Sequence, residues 1–316
     1  MPRANNYKKQ VTNAKAPAPP PTEGEDVTKR YFHVITGLED IDQNDANAQK
    51  KLVKKALTGW KFLPEGKITI QNLSGMGASR TYLLTCPDGI PQKVIVHNKN
   101  LSIEDHAHME AERRQEHIVS LLSDQDATPG RLAEGESWYI EPCAGTEFVP
   151  SEENVCAVAD LAAKFHKTDT AWFQNFRGKM IQKYPALKKY PYGDPVMYKV
   201  VNVDCQVWMP VLDTIQEYPI EPESEVGRRV TTIHGDFHSG NMLVRPDGQL
   251  IAIDLELTYV GWAVIDLAYF LEQSCISRAG HRAFASRYLQ MSNLPHDNNS
   301  VDDLLYDIEI GKFMCP

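Results

Sequence analysis

The fold turns on Ile233-His234-Gly235-Asp236-Phe237-His238-Ser239-Gly240-Asn241-Met242-Leu243-Val244, followed closely by Ile253-Asp254-Leu255-Glu256. Short apolar runs at Thr231–Ile233, Asn241–Val244 and Leu250–Ile253 alternate with polar loops, which is the pattern of brief strands joined by turns. Asp, Asn and Gly are ordinary loop formers, so the spacing of Asp236 and Asn241 alone carries little. The combination carries more: a strand, His-x-Asp-x4-Asn, a second strand, a spacer, and a third strand ending in Asp254. A hydroxyl is a weak nucleophile until a nearby carboxylate orients it and accepts its proton, and Asp236 is the residue suited to that. Asn241 and Asp254 offer the hard oxygens that Mg²⁺ takes alongside phosphate oxygens. One short loop thereby sets a base beside a metal ligand.

Upstream, Ser151-Glu152-Glu153 opens a helix in which Val158, Leu161, Ala162 and Phe165 recur on one face as far as His166. Residues 205–217 suggest another helix, and helices are expected again near Val264 and near Val301. The earlier part of the chain reads differently. Lys67–Gln71, Thr81–Thr85 and Lys93–His97 are β-rich runs, with Pro87-Asp88-Gly89 as a turn, and Tyr139-Ile140-Glu141 is a further strand. Helical spacing covers 29–60, through Leu52, Val53, Ala56 and Leu57, and returns over 104–122. The expectation is a disordered basic and Pro-rich tail over 1–28, with Lys8, Lys9 and Ala16-Pro17-Ala18-Pro19-Pro20-Pro21. A β-rich lobe follows over 29–141, then a mostly helical lobe over 142–316.

Composition narrows the function. The 316 residues are 42% apolar and 24% charged, ordinary for a folded protein. No run approaches the ~18 consecutive apolar residues of a membrane helix. The start, MPRANNYKKQ, has no apolar leader. Six cysteines lie scattered without a Cys-x-x-Cys pair, which predicts reduced thiols and a cytoplasmic location. A net charge of −9 argues against a nucleic-acid partner.

His234–Val244 with Ile253–Glu256 resembles the aminoglycoside phosphotransferase and choline/ethanolamine kinase superfamily. Gly235 stands where protein kinases usually carry Arg, Leu255-Glu256 replaces Phe-Gly, and no Ala-Pro-Glu follows, which separates the chain from protein kinases. The resemblance implies an α+β, bilobal, protein-kinase-like fold, with a small β-rich N-lobe and a larger helical C-lobe. It implies an ATP- and Mg²⁺-dependent transfer of the γ-phosphoryl group to the hydroxyl of a small molecule. Asp236 would be the base, and Asn241 and Asp254 the metal ligands. Gly75, Gly77 and Ser79, between two strands, match the loop that covers the phosphates. His97 takes the slot of a phosphate-contacting Lys or Arg, with Lys93 or Lys99 as substitutes. Its partner acid from the following helix is Glu116 or Glu112. Glu141 and Cys143 fall in the hinge beside the adenine. Asp266-Leu267-Ala268 matches a downstream family element, or is simply an acid at a helix N-terminus.

The acceptor is less specified. Acids near the site favour a cationic amino alcohol, choline or ethanolamine, with His238, Glu256 and Trp262 as its contacts and Tyr259, Tyr269 and Phe270 as further aromatics. The choline-kinase resemblance assigns part of the cation cage to a late Trp-containing helix, and Met314-Cys315-Pro316 stand before such a helix, so a shortened C-lobe is expected. An aminoglycoside or sugar hydroxyl is the alternative acceptor. A non-catalytic nucleotide binder is the alternative function. His106-Ala107-His108 sits at a spacing that does not share a helix face, and so makes a poor metal chelate.

Overall fold

The structure, a computed structural model, describes residues 33–34, 45–73, 80–98, 118–135, 138–172 and 222–312. Its first layer is a six-stranded sheet in the order β1-β5-β6-β4-β3-β2. The strands are β1 (His33–Val34), β2 (Thr69–Asn72), β3 (Arg80–Thr85), β4 (Lys93–Asn98), β5 (Ala133–Glu134) and β6 (Trp138–Pro142). Only β1 runs parallel to its neighbour.

Alternation along the strands gives the sheet two different faces. Tyr82, Leu84, Val94, Val96, Trp138 and Ile140 form a buried face. Helix α1 (Ala46–Ala56) covers it, burying Gln49, Leu52, Val53 and Ala56 at i, i+3, i+4 and i+7. Asp45 caps this helix by accepting from Asn47 N–H at 2.8 Å. Thr81, Leu83, Ile95, His97, Tyr139 and Glu141 line the other, half-buried face.

The second region packs helices around small sheets. Strand β7 (Thr146–Glu147) pairs with β9 (Met242–Val244), which pairs with β10 (Leu250–Ala252). Strand β8 (Val230–Ile233) pairs with β11 (Tyr259–Trp262). Helices α2 (Val155–His166), α3 (Ala263–Gln273), α4 (Arg278–Met291) and α5 (Asn298–Lys312) enclose a core through Phe165, Phe237, Phe270, Phe284 and Tyr288. Helix α2 packs on α4, and α3 on α5. The crossing of α2 and α4 is pinned by a two-pronged Arg287–Asp160 ion pair. Gly145 lies where a Cβ would stand 2.1 Å from the Val244 carbonyl oxygen, so only glycine lets the chain after β6 close onto β9.

The architecture is α+β, an N-terminal antiparallel sheet followed by a helical region. Details of the sequence reading need correction. The helix expected over 29–60 is confined, among the described residues, to α1, with a strand at His33–Val34 and a 3₁₀ turn at Thr58–Trp60. β1 owes its existence to pairing with a strand about 100 residues away, which local periodicity does not encode. Helix α2 begins at Val155, after a turn in which Asn154 Oδ1 accepts from Ser151 N–H at 2.7 Å. Helix α4 carries no strong apolar stripe and was not foreseen. Of the helix expected over 104–122, residues 118–122 are described and are helical. The helix expected over 205–217 and the tail lie outside the described residues. No described helix is long and apolar enough to cross a membrane.

Candidate active site

Strand β8 delivers the chain into a loop whose backbone is held from below. Asp266, fully buried in the first turn of α3, accepts from His234 N–H at 2.8 Å and from Gly235 N–H at 3.0 Å. Its Oδ2 also lies 3.2 Å from His166 Nε2, and His166 Nδ1 lies 2.8 Å from the Tyr288 hydroxyl. Burial pushes the Tyr288 phenol up to about 12, which keeps it a neutral hydrogen-bonding group. Gly235 has φ +82, and a Cβ there would stand 2.3 Å from the Leu257 carbonyl oxygen. Phe237 is fully buried among the rings of Phe165, His234 and Phe270. These anchors leave Asp236 and His238, on either side of Phe237, half exposed.

His234 joins the loop to the following hairpin. Its Nε2 lies 2.9 Å from the Ile253 carbonyl oxygen, and its Nδ1 accepts from Asp236 N–H at 3.3 Å. Asn241 turns its Nδ2 to Asp236, donating to the carbonyl oxygen at 3.0 Å and to Oδ2 at 2.9 Å. Ile253 N–H donates to the Asn241 carbonyl oxygen at 2.9 Å, so Asp254 follows directly on a residue tied to Asn241, the partner of Asp236. Asp254 itself adopts φ 61, ψ 61, a left-handed conformation that strains a non-glycine residue and is found where geometry is functionally constrained.

The electrostatics are unfavourable as they stand. Partial desolvation raises the Asp254 carboxyl above the usual carboxylate range; the nearby His234, His97 and His238 side chains oppose that rise, and Asp236 adds to it. The Asn241 amide carbonyl, left over once its nitrogen is committed to Asp236, and the Asp254 carboxylate form a hard-oxygen donor pair that suits a divalent cation. Among the described residues, no group of three or more His, Cys, Asp or Glu side chains gathers as a resident metal cage. The pair fits a cation that takes its remaining ligands from a substrate.

Across from the loop, cross-strand register sets His97 opposite Tyr139 and diagonal to Glu141. His97 stacks on Tyr139 at 4.4 Å between centroids, and its Nε2 lies 2.9 Å from Glu141 Oε1. Arg131 covers a face of the Tyr139 ring at 4.3 Å. His97 lies within electrostatic range of Asp254, which sets this sheet face near the loop. Cys143 follows, half buried, its N–H donating to the Lys93 carbonyl oxygen at 3.1 Å.

Thus Asp236, Asn241, Asp254 and His238 form one cluster, and His97 with Glu141 a second facing it. Trp262 does not join them. It pairs with Val230, three residues up the strand from Ile233, about 10 Å from the loop end of the ladder. Tyr259 and Phe270 are core residues, and it is Tyr269 that stands against His238. Gly75, Gly77, Ser79, Glu112 and Glu116 lie outside the described residues, as does the Glu256 side chain. The sequence reading left Asp266 between a family element and a plain helix acid, and missed His166; burial of both would have been the telling signal.

The family model of a phosphotransferase enzyme family (APH) matches residues 69–298. That is most of the chain, and the chain belongs to this family of small-molecule kinases. Among solved structures, choline kinase from Cryptosporidium parvum Iowa II is 13% identical over 86% of this chain and 87% of its own, with a TM-score of 0.56. Plasmodium vivax ethanolamine kinase is 14% identical over 93% of this chain and 87% of its own, with a TM-score of 0.57. Both share the fold. No curated protein sequence matches.

Proposed function

We propose that this kinase moves the γ-phosphoryl group of ATP, with Mg²⁺, to the hydroxyl of a small cationic amino alcohol of the choline or ethanolamine kind. One observation carries the reading: the Asp236 carboxylate, oriented by the Asn241 amide, stands near the Asp254 carboxylate, whose ionisation partial desolvation and Asp236 both oppose. Two acids held together this way are the arrangement of a base beside a cation site.

In this reading Asp236 orients the acceptor hydroxyl and takes its proton. Asn241 and Asp254 would hold Mg²⁺, which when bound neutralises charge on the phosphates. Gly75, Gly77 and Ser79 cover the phosphates, with Glu116 or Glu112 as the helix acid. His97 faces the phosphates, with Glu141 and Cys143 towards the base. Residues 29–141 then serve the nucleotide and 142–316 the chemistry and the acceptor. The cationic acceptor is argued from the carboxylates around the site and from the half-exposed Tyr269 ring, with Glu256 as a further acid. Residues 221–272 carry nine acids against three arginines. Several of those acids are engaged elsewhere, Glu223 with Tyr306, Glu272 with Lys312 and Asp247 with Arg245, so the local acidity rests on Asp236, Asp254 and Glu256.

The test is ATP turnover by wild type and Asp236→Ala against choline, ethanolamine and aminoglycosides. Loss of the base is expected to cost about 10²–10⁴-fold. Equal turnover by the two proteins sinks the mechanism, and turnover on aminoglycosides alone moves the acceptor. A second reading, nucleotide binding without turnover, is favoured by the engagement of His97 with Glu141. Mg²⁺–ATP binding with no turnover on any acceptor would support it.

A further inference from the structure

His238 was expected to touch the acceptor, but its ring turns inward onto the loop. Its Nδ1 accepts from Gly240 N–H at 3.0 Å, and its Nε2 lies 3.4 Å from Asp236 Oδ2. A ring nitrogen that accepts an amide proton carries none of its own. The imidazole is therefore the neutral tautomer with its proton on Nε2, aimed at the carboxylate.

Asn241 Nδ2 donates to that same Oδ2 at 2.9 Å. The Asn241 amide thus donates to Oδ2 and the His238 ring nitrogen lies close to the same oxygen, while among the described residues Oδ1 has no hydrogen-bond partner. The ring is fixed from two further sides. A Cβ on Gly240 would stand 2.8 Å from His238 Cε1 and 3.0 Å from Nδ1, so glycine is what lets the ring lie over the loop backbone. Tyr269 meets the ring edge-on, at 6.0 Å between centroids. Tyr269 lies three residues after Asp266 in α3, on the same helix face. One turn of α3 therefore holds the loop backbone through Asp266 and the His238 ring through Tyr269.

We infer that His238 is a positioning residue: as a neutral Nε2–H donor it joins Asn241 in engaging Asp236 Oδ2, so that Oδ1 is the oxygen that receives the proton. This rests on the phosphotransferase reading. In the step it serves, the acceptor oxygen bonds to the γ-phosphorus as the bond from phosphorus to the β,γ-bridging oxygen breaks. ADP leaves, and the hydroxyl proton passes to Asp236 Oδ1. His238 does not take that proton, because Nδ1 is occupied by the Gly240 N–H.

Two measurements test this independently of each other. Long-range ¹H–¹⁵N NMR of ¹⁵N-histidine-labelled protein is expected to show His238 as the Nε2–H tautomer in wild type, and to show its ring signals moved in Gly240→Ala. An Nδ1–H tautomer or an imidazolium at neutral pH overturns the inference, and no turnover is needed to see it. In steady-state kinetics, His238→Ala is expected to lower kcat about ten- to a hundredfold. Both KM values should stay within about twofold. His238→Gln, which keeps an N–H donor, should recover part of the loss. A raised acceptor KM with unchanged kcat overturns the inference and returns His238 to acceptor binding. Asp236→Ala run in parallel separates the two failures: wild-type turnover in that variant overturns the phosphotransferase reading, while the NMR result judges His238 alone.

Discussion

The Asp236 loop and the sheet face that carries His97 hold polar clusters of opposite construction. In the loop, His234, Gly235 and Asp236 are fixed through backbone amides, and the acceptors that hold them, Asp266 and His234 Nδ1, are buried. On the sheet, His97 and Glu141 meet side chain to side chain on a half-buried face. A buried amide bound to a carboxylate has no alternative partner, so the loop is rigid and intolerant. A partly solvated pair can exchange partners with water and contributes little to stability, so the sheet face is open to tuning. Where the chemistry is proposed to be done the geometry is over-determined, and where the nucleotide is proposed to lie it is not.

The largest effect should come from Asp254→Asn. Turnover is expected to fall by about three orders of magnitude, because the amide cannot neutralise a cation as a carboxylate does. The same variant should melt slightly higher than wild type when both are free of metal and nucleotide, the gain being small because Asp254 keeps solvent exposure. The sign follows from the raised carboxyl. Stability is fully present below the ordinary carboxylate range and is lost as pH rises through the higher folded-state value, because the folded protein resists ionisation there. At neutral pH wild type bears that cost and the amide does not. Thermal melts of both proteins at pH 4 and pH 7 check it: the difference should shrink at the lower pH. A variant that is both active and less stable would place the cation elsewhere.

Asp266→Asn probes the loop side of the contrast. One of the two amides it now holds, His234 N–H or Gly235 N–H, would face the new NH₂ group, leaving a buried donor unpaired at about 1–3 kcal/mol. Chemical denaturation should show that loss. Turnover should drop about tenfold or more as Asp236 loses its fixed position. Unchanged stability would mean that the loop backbone is not held from α3.

The loop was legible in the sequence because its determinants are local. Asp236 and Asn241 are five residues apart, and the strand before and the hairpin after them carry plain apolar runs. The helical core was legible for the same reason at Val158, Leu161, Ala162 and Phe165, whose periodicity survives in α2. The pairing of His97 with Glu141 was not legible, because it spans 44 positions and depends on the register of β4 against β6. Asp266, His166 and Tyr288 meet from three helices, and nothing in a helical Asp, His or Tyr announces that each is buried against the others. Trp262 is close to Asp254 in sequence but not on the same end of the ladder. The antiparallel return of β11 carries its C-terminal end away from the loop.

The smallest effect, and the one that most sharpens the contrast, belongs to Glu141→Gln. The amide oxygen can still accept from His97 Nε2, so the stacked geometry on Tyr139 should survive. With both side chains about one-fifth exposed, the pair contributes no more than about 1 kcal/mol, and the melting temperature should barely move. What changes is the field. Removing one negative charge from the face that looks towards Asp254 favours polyanionic phosphates whatever the charge on His97. The KM for ATP should therefore fall by about two- to threefold, with kcat unchanged and with the effect weakening as salt is added. A rise in KM would mean that Glu141 accepts hydrogen bonds from the nucleotide, and that His97 orients it for that contact. Either sign leaves kcat to the loop, whereas a kcat change would show that the sheet face shares in positioning the base.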